Sequence, residues 1–324
     1  MNFIIFFRLV IAEYDVLAIN EHSGFVRLRS YIAGFTVLIF MFVGMASSVR
    51  ADDQPELSAL VVGSANPEHH VGKFIFAELA TSDLSKAERF YADLFGWSFR
   101  EVNIAGKQYA EASIAGHPIA GLVQNSQHLP SWLSFIAVDD VEAYKTQALA
   151  HGAKLLSAPQ TVPKRGQQAV FIDPQGAVFA VLAADGGDPA DQLALPGEWI
   201  WSSLITGDPE GAAAFYQNLF EYEVFELAAD PGTQHLLLAT DNYARASVNS
   251  LPADTPNMHA HWLNYIRVDD VPGAVAKLTS LGGKVLIPPR LDRHGGKLAV
   301  VADPAGAVFG ILEWPESDSK VVKQ

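Results

Sequence analysis

An α+β fold built from four β-α-β-β-β modules is what this sequence predicts, and three observations carry the prediction. First, Asp173-Pro174-Gln175-Gly176 and Asp303-Pro304-Ala305-Gly306 each precede a short apolar run, Ala177 to Leu182 and Ala307 to Leu312. Asp caps a type I turn, Pro presets its second position and Gly relieves crowding at the exit, so each motif opens a buried strand. Second, the chain repeats itself. Asp139-Asp140-Val141 matches Asp269-Asp270-Val271 at an offset of 130 residues, as do Trp132 with Trp262 and Pro159 with Pro289. Upstream the offset is 125, pairing Asp83 with Asp208, Phe90-Tyr91 with Phe215-Tyr216 and Leu94-Phe95 with Leu219-Phe220. Five extra residues between Asn218 and Trp262 reconcile the two offsets, and a duplication of this kind sets the architecture. Third, each copy divides again into a strand ending in Asp, a helix and further short strands.

Taken in order, residues 1–51 read as a targeting segment. Arg27 and Arg29 precede an apolar stretch from Tyr31 to Ala46, and Val49-Arg50-Ala51 resembles a signal-peptidase site. A bilayer-spanning helix needs about 20 apolar residues, so the stretch is short for a permanent anchor. The expectation is export with cleavage after Ala51, to the periplasm or the medium; an uncleaved signal anchor tethering the protein to the membrane is the alternative. Residues 1–25 exceed what a signal peptide needs, which points to a translation start further downstream. Residues 52–70 lack periodicity and read as a tether.

The first domain is expected over 71–183. Phe74 to Asp83 reads as a strand, and Leu84 to Phe95 as a helix with Ala87, Phe90, Tyr91, Leu94 and Phe95 on one face, stopped by Gly96. Ile136 to Asp140 followed by Val141 to Ala150 repeats the pattern. Residues 184–196, rich in Gly, Asp, Pro and Ala, are the candidate linker. The second domain is expected over 197–315, and residues 316–324 form a polar tail.

The 324 residues carry a net charge of −14 and no cysteine. Disulfides, thiolate metal sites and a lipidated cysteine are therefore excluded. So negative a chain repels phosphate backbones and anionic headgroups, which makes nucleic acid and stable membrane insertion unexpected as partners. A small molecule is the expected partner, and homo-oligomerisation stays open.

The helices with their Phe-Tyr pairs, Asp83 to Trp97 and Asp208 to Tyr222, and the two Asp-Pro-x-Gly strands resemble the vicinal oxygen chelate superfamily of glyoxalase I, bleomycin-resistance proteins and extradiol dioxygenases. The resemblance spans roughly Val71 to Trp314. It implies that two modules pair into a half-open barrel with a concave ligand face, giving two such cups in tandem. It also implies where a metal would be held. One ligand lies seven residues before the Asp ending each module's first strand: Phe76, Leu133, Trp201 and Leu263 here. A Glu position after each Asp-Pro-x-Gly turn falls on Ala180 and Gly310. None of these side chains can coordinate a cation. The chain therefore resembles the branch of the superfamily without metal ligands, and no cofactor is expected. His259 and His261, which share a strand face, are the one alternative metal pair, with Glu78 or Glu198 as further donors.

Strand parity assigns Phe74, Phe76, Glu78, Leu133 and Phe135 to the first cup, and Trp199, Trp201, Ser203, His261, Leu263, Tyr265 and Arg267 to the second. The second set, with aromatic walls and Arg267 for an anionic group, better fits a pocket. Glu78 is the candidate proton acceptor, because desolvation among phenylalanines would raise its pKa. Arg165 and His294 fall in loops before final strands, where they could gate access. The expected function is metal-free binding of a small aromatic or apolar molecule. Two other readings stay open: a lyase or dioxygenase with a displaced metal at His259 and His261, and an interaction module whose cups are packed solid.

Overall fold

The structure, a computed structural model, describes residues 56–61, 68–104, 106–126, 129–229, 231–251, 258–291 and 296–314. The expected export segment, the tail and His294 lie outside them. No helix among the described residues is long and apolar enough to cross a membrane.

The first half runs β1 (Phe74–Thr81), α1 (Leu84–Phe95), β2 (Ser98–Ile104), β3 (Lys107–Ile114) and β4 (His117–Gln124). A second module follows: β5 (Ser131–Ala137), α2 (Val141–Ala150), β6 (Lys154–Val162), β7 (Gly166–Ile172) and β8 (Val178–Ala184). The second half repeats the order: β9 (Trp199–Thr206), α3 (Pro209–Phe220), β10 (Glu223–Glu226), β11 (His235–Thr240) and β12 (Tyr243–Ser250). Its last module is β13 (His261–Val268), α4 (Val271–Ser280), β14 (Lys284–Leu291), β15 (Lys297–Ala302) and β16 (Val308–Glu313). The four-module α+β reading is therefore what the chain adopts.

Helix starts follow from the Asp residues that end each first strand. Asp83, Asp140 and Asp208 accept backbone N–H groups of their own first turns, each such cap contributing about 1 kcal/mol. The Asp-Pro-x-Gly turns also form as expected. Asp173 Oδ1 accepts from the N–H of Gln175 and Ala177 at 2.9 and 2.8 Å, and Asp303 Oδ1 from those of Ala305, Gly306 and Ala307.

Each half closes on itself. Its eight strands form one curled sheet, ordered β2-β3-β4-β1-β5-β8-β7-β6, with β1 antiparallel to β5 at the centre; the second half has the matching order. Cups thus form within halves. Between halves, the convex faces and helices merge into two shared cores. One packs Ile136, Phe171 and Phe179 against Phe215, Tyr216 and Phe220; the other packs Phe90, Tyr91 and Leu94 against Ile266, Val301 and Phe309.

A β-bulge at the same place in both central strands corrects the parity reading. The register of β1 against β5 shifts between Phe74 and Phe76, and that of β9 against β13 between Trp199 and Trp201. One extra residue turns everything before it to the opposite face. Phe74 consequently packs on Trp262 in a shared core, with ring centroids 4.8 Å apart. Trp199 packs edge-on to Trp132 at 4.9 Å and donates Nε1–H to the Ile119 carbonyl, away from the second cup.

Candidate functional site in the first cup

The second cup, favoured by composition, is closed by its own side chains. Trp201, Leu263 and Tyr265 are buried against Leu237, Leu298, Val300 and Leu312. Trp201 Nε1–H donates to Ser247 Oγ at 3.1 Å, and Ser247 lies 2.9 Å from Ser203 Oγ, so these three polar groups serve one another, while the buried Tyr265 hydroxyl has no hydrogen-bond partner. Tyr265 lies over Gly310, where an added Cβ would sit 2.0 Å from the ring. Arg267 is drawn to the linker, donating Nη1–H to the Ala194 carbonyl at 2.7 Å.

The first cup keeps a cavity of about 30 Å³, lined by Leu57, Phe76, Glu78, Ile104, Lys107, Tyr109, Val123, Val162, Arg165 and Gln168. Glu78 sits in a row that runs across the sheet beside this cavity. Leu133, Glu78, Gly121, Glu111 and Arg100 are register partners on successive strands β5, β1, β4, β3 and β2. Gly121 is required in that row: a Cβ there would meet the Tyr109 hydroxyl at 1.7 Å, and the bare backbone lets Tyr109 reach Glu78. Phe135, also in step, packs edge-on to Phe76 at 5.8 Å beneath the row.

Glu78 behaves as its surroundings dictate. Burial pushes its pKa up to about 7, against the opposing pull of the Arg165 charge and the Tyr109 hydrogen bond. Glu111 goes the other way. Burial alone would raise it, but donors from Ser58, Arg100 and Arg165 more than reverse that and hold it below the usual carboxylate range.

Arg165 is the residue that the sequence reading misplaced. It is 2% exposed, not a surface gate. Its Nη2–H donates to Glu111 Oε2 at 2.7 Å, its guanidinium lies 4.2 Å above the Phe76 ring, and Nη1 has no hydrogen-bond partner. The turn between β6 and β7 folds inward at Arg165, which Glu111 draws under the sheet. Tyr109 and Glu111 were missed altogether, although their period-two spacing on β3 places both on Glu78's face.

The tether reading is also corrected. Residues 56–61 seat on this cup, with Leu57 and Leu60 buried at 6% and 3% exposure. Burying two leucines contributes about 3–5 kcal/mol before ordering costs, which explains why so short a segment docks.

A metal does not fit the inherited positions. Phe76, Leu133 and Ala180 in the first cup, and Trp201, Leu263 and Gly310 in the second, offer no donor atoms. Nor do the alternative residues assemble. His259 is exposed and His261 Nδ1 lies 2.9 Å from the His259 carbonyl. Burial lowers the His261 pKa. His261 pairs with Ile205, seven residues along the chain from Glu198, which directly precedes β9, or roughly 23 Å of extended strand. Glu78 belongs to the other cup. Among the described residues no group of three or more His, Asp or Glu side chains could hold an ion.

The glyoxalase-like domain family matches residues 76–182 and again 202–312. The chain belongs to that family. Each match covers one eight-stranded half, so this is a tandem glyoxalase-like protein. CFP32 of Mycobacterium tuberculosis, whose name proposes a glyoxylase, is 29% identical over 76% of this chain and 96% of its own length. The anthracycline biosynthesis protein DnrV of Streptomyces peucetius is 28% identical over 74% and 92%. Among solved structures, the Mn(II)-bound glyoxalase of Novosphingobium aromaticivorans superposes with a TM-score of 0.55 at 19% identity, covering 76% of this chain and 84% of that one. The 2,3-dioxygenase LapB of Pseudomonas sp. KL28 superposes at 0.56 and 15% identity, covering 77% and 96%. These two likenesses establish a common fold alone.

Proposed function

We propose that this tandem glyoxalase-like protein is exported and holds a small molecule in its first cup without a metal ion. The observation that carries the reading is the Glu78–Tyr109–Arg165 constellation around a cavity, in a half whose inherited ligand positions are Phe76, Leu133 and Ala180. Apolar walls from Phe76, Val123 and Val162 suit the body of a small ligand, and the three polar side chains suit its head group. Glu78, with a pKa near 7, is equipped to accept or donate a proton to whatever is held there. This transfers the ligand from the second cup, where composition placed it, to the first.

The test combines metal analysis with a binding screen on the full chain. Protein purified with Mn²⁺ and Zn²⁺ present should hold neither at stoichiometric levels. Ligand-observed NMR against small compounds with an apolar body and a polar head should yield hits that Val123→Phe, which fills the cavity, abolishes. Stoichiometric metal would restore a metal-dependent glyoxalase or dioxygenase reading; hits indifferent to Val123→Phe would move the site elsewhere. Export is tested by mass spectrometry of the natural amino terminus, where a mature chain retaining Met1 would overturn it.

A further inference from the structure

Residues 56–61 cross the mouth of the first cup without joining any strand. Side chains hold them. Ser58 donates its N–H and its hydroxyl to the two oxygens of Glu111, at 2.9 and 2.7 Å. Arg165 Nε–H donates to the Ser58 carbonyl at 3.2 Å, and Arg100 Nη2–H to the Glu56 carbonyl at 3.0 Å. With the segment in place the cavity, about 30 Å³, admits about one water and no larger ligand. Any small molecule that reaches Glu78 and Tyr109 must first move these residues.

The cup tolerates their departure. Glu111 loses two donors but keeps the charge-assisted bonds from Arg165 at 2.7 Å and Arg100 at 2.9 Å, so no buried carboxylate is orphaned. Arg165 gains a free Nε–H beside its already unpartnered Nη1. A buried guanidinium with donors to spare calls for a strong acceptor, and a carboxylate supplies charge-assisted acceptor oxygens for them. Charge agrees: Arg100, Lys107 and Arg165 face Glu111 and a Glu78 held largely neutral below pH 7, a positive spot in a chain of net charge −14. Attraction from this spot is local, because a Debye length at physiological salt is about 8 Å.

Resting on the first-cup reading, we infer that the ligand is a small carboxylate with an apolar body, and that residues 56–61 are the lid it displaces. The carboxylate takes the guanidinium donors that Ser58 now uses, and the apolar body takes the space of Leu57. The lid is a competitor, so apparent affinity scales with the fraction of molecules in which it is open.

Benzoate and its neutral counterpart benzamide are the probes, titrated by calorimetry into the full chain and four variants. Leu57→Ala, which loosens the lid, should bind benzoate about tenfold more tightly than wild type, as a competitor weakened tenfold requires. Benzamide should bind neither. Arg165→Gln should lose benzoate; since that change also strips a partner from Glu111 and can unfold the half, Arg165→Lys serves beside it and should weaken binding while keeping charge. Hydrogen exchange at residues 57–61 should rise when benzoate is added to wild type. No gain in Leu57→Ala, or benzoate slowing exchange in the lid, would overturn the proposal. Benzamide binding that Val123→Phe abolishes would sink the carboxylate and leave metal-free binding standing. If neither probe nor any screened compound perturbs the first cup even in Leu57→Ala, both readings fall.

Discussion

Tyr91 donates its hydroxyl proton to Asp303 Oδ2 at 3.2 Å, joining the first helix of one half to the last turn of the other. The duplicated counterpart is present: Tyr216 donates to Asp173 Oδ2 at 3.0 Å. Each Asp also organises its own Asp-Pro-x-Gly turn through Oδ1, so one carboxylate shapes a turn and clasps the other half. Two tryptophans complete the relay, Trp132 Nε1–H donating to Tyr91 and Trp262 Nε1–H to Tyr216. At the repeat axis Ser134 and Ser202 both donate to Asn264 Oδ1, at 2.9 and 2.8 Å.

Tyr216→Phe removes both the donor to Asp173 and the acceptor for Trp262 in a fully buried place. We expect a loss of about 2–4 kcal/mol, one to two unsatisfied buried groups, with a similar or smaller loss for Tyr91→Phe. Because the two clasps do not share partners, the double variant should be additive within about 0.5 kcal/mol. Urea melts check both statements. A neutral Tyr216→Phe would mean that water replaces the lost hydroxyl.

Gly310→Ala should destabilise the second half by about 1–3 kcal/mol, since the new methyl would sit 2.0 Å from Tyr265 Cδ1. Adding Tyr265→Ala should cancel that increment, so that the double variant melts with Tyr265→Ala alone. A strictly additive cycle would show that the ring does not occupy the position.

Glu78→Gln has a pH signature with a definite sign. The native pKa of about 7 exceeds the ordinary 4.5, so the folded state holds its proton where the unfolded chain has released it. Stability is complete below pH 4.5 and declines as pH rises through 7. The glutamine variant lacks this decline. Its stability relative to wild type should therefore increase between pH 5 and 8, by on the order of 2 kcal/mol. Melts at both pH values decide it; a constant difference would mean that Glu78 titrates normally.

Asp191 in the linker should show the opposite sign. It accepts from both Nη atoms of the buried Arg245 and lies 2.9 Å from Lys73 Nζ. Burial would raise its pKa, but those donors more than reverse this and hold it below the ordinary 3.8. Its contribution is present above that value and is lost as pH falls through the depressed one. Asp191→Asn leaves the buried Arg245 with only the longer Asp241 contact at 3.4 Å as a charge partner and should cost about 1–3 kcal/mol at neutral pH. The gap to wild type should narrow on acidification below pH 4, in denaturant melts at graded pH.

Much of the fold was legible because its signals are local. Asp83, Asp140 and Asp208 announce helix starts, the turn motifs announce final strands, and the offsets expose the duplication without any long-range contact. Parity along β5 and β13 also served, placing Leu133, Phe135, Leu263 and Tyr265 on the concave faces. It failed at Phe74 and Trp199, because a bulge is a property of two paired strands and leaves no mark in either alone. Arg165 was misread for a related reason. A lone Arg in a turn is ordinarily solvated, and only Glu111, 54 residues away, draws this one inward.

The amino-acid sequence alone determined the module order, the membership and the lack of donor atoms at the inherited metal positions, since these depend on residue identity and short spacings. Tertiary structure alone decided which cup keeps a cavity. Whether Tyr265 fills a space or Tyr109 borders one depends on what lies across the sheet, and a buried charge becomes a site only when folding sets its partners and leaves one donor over.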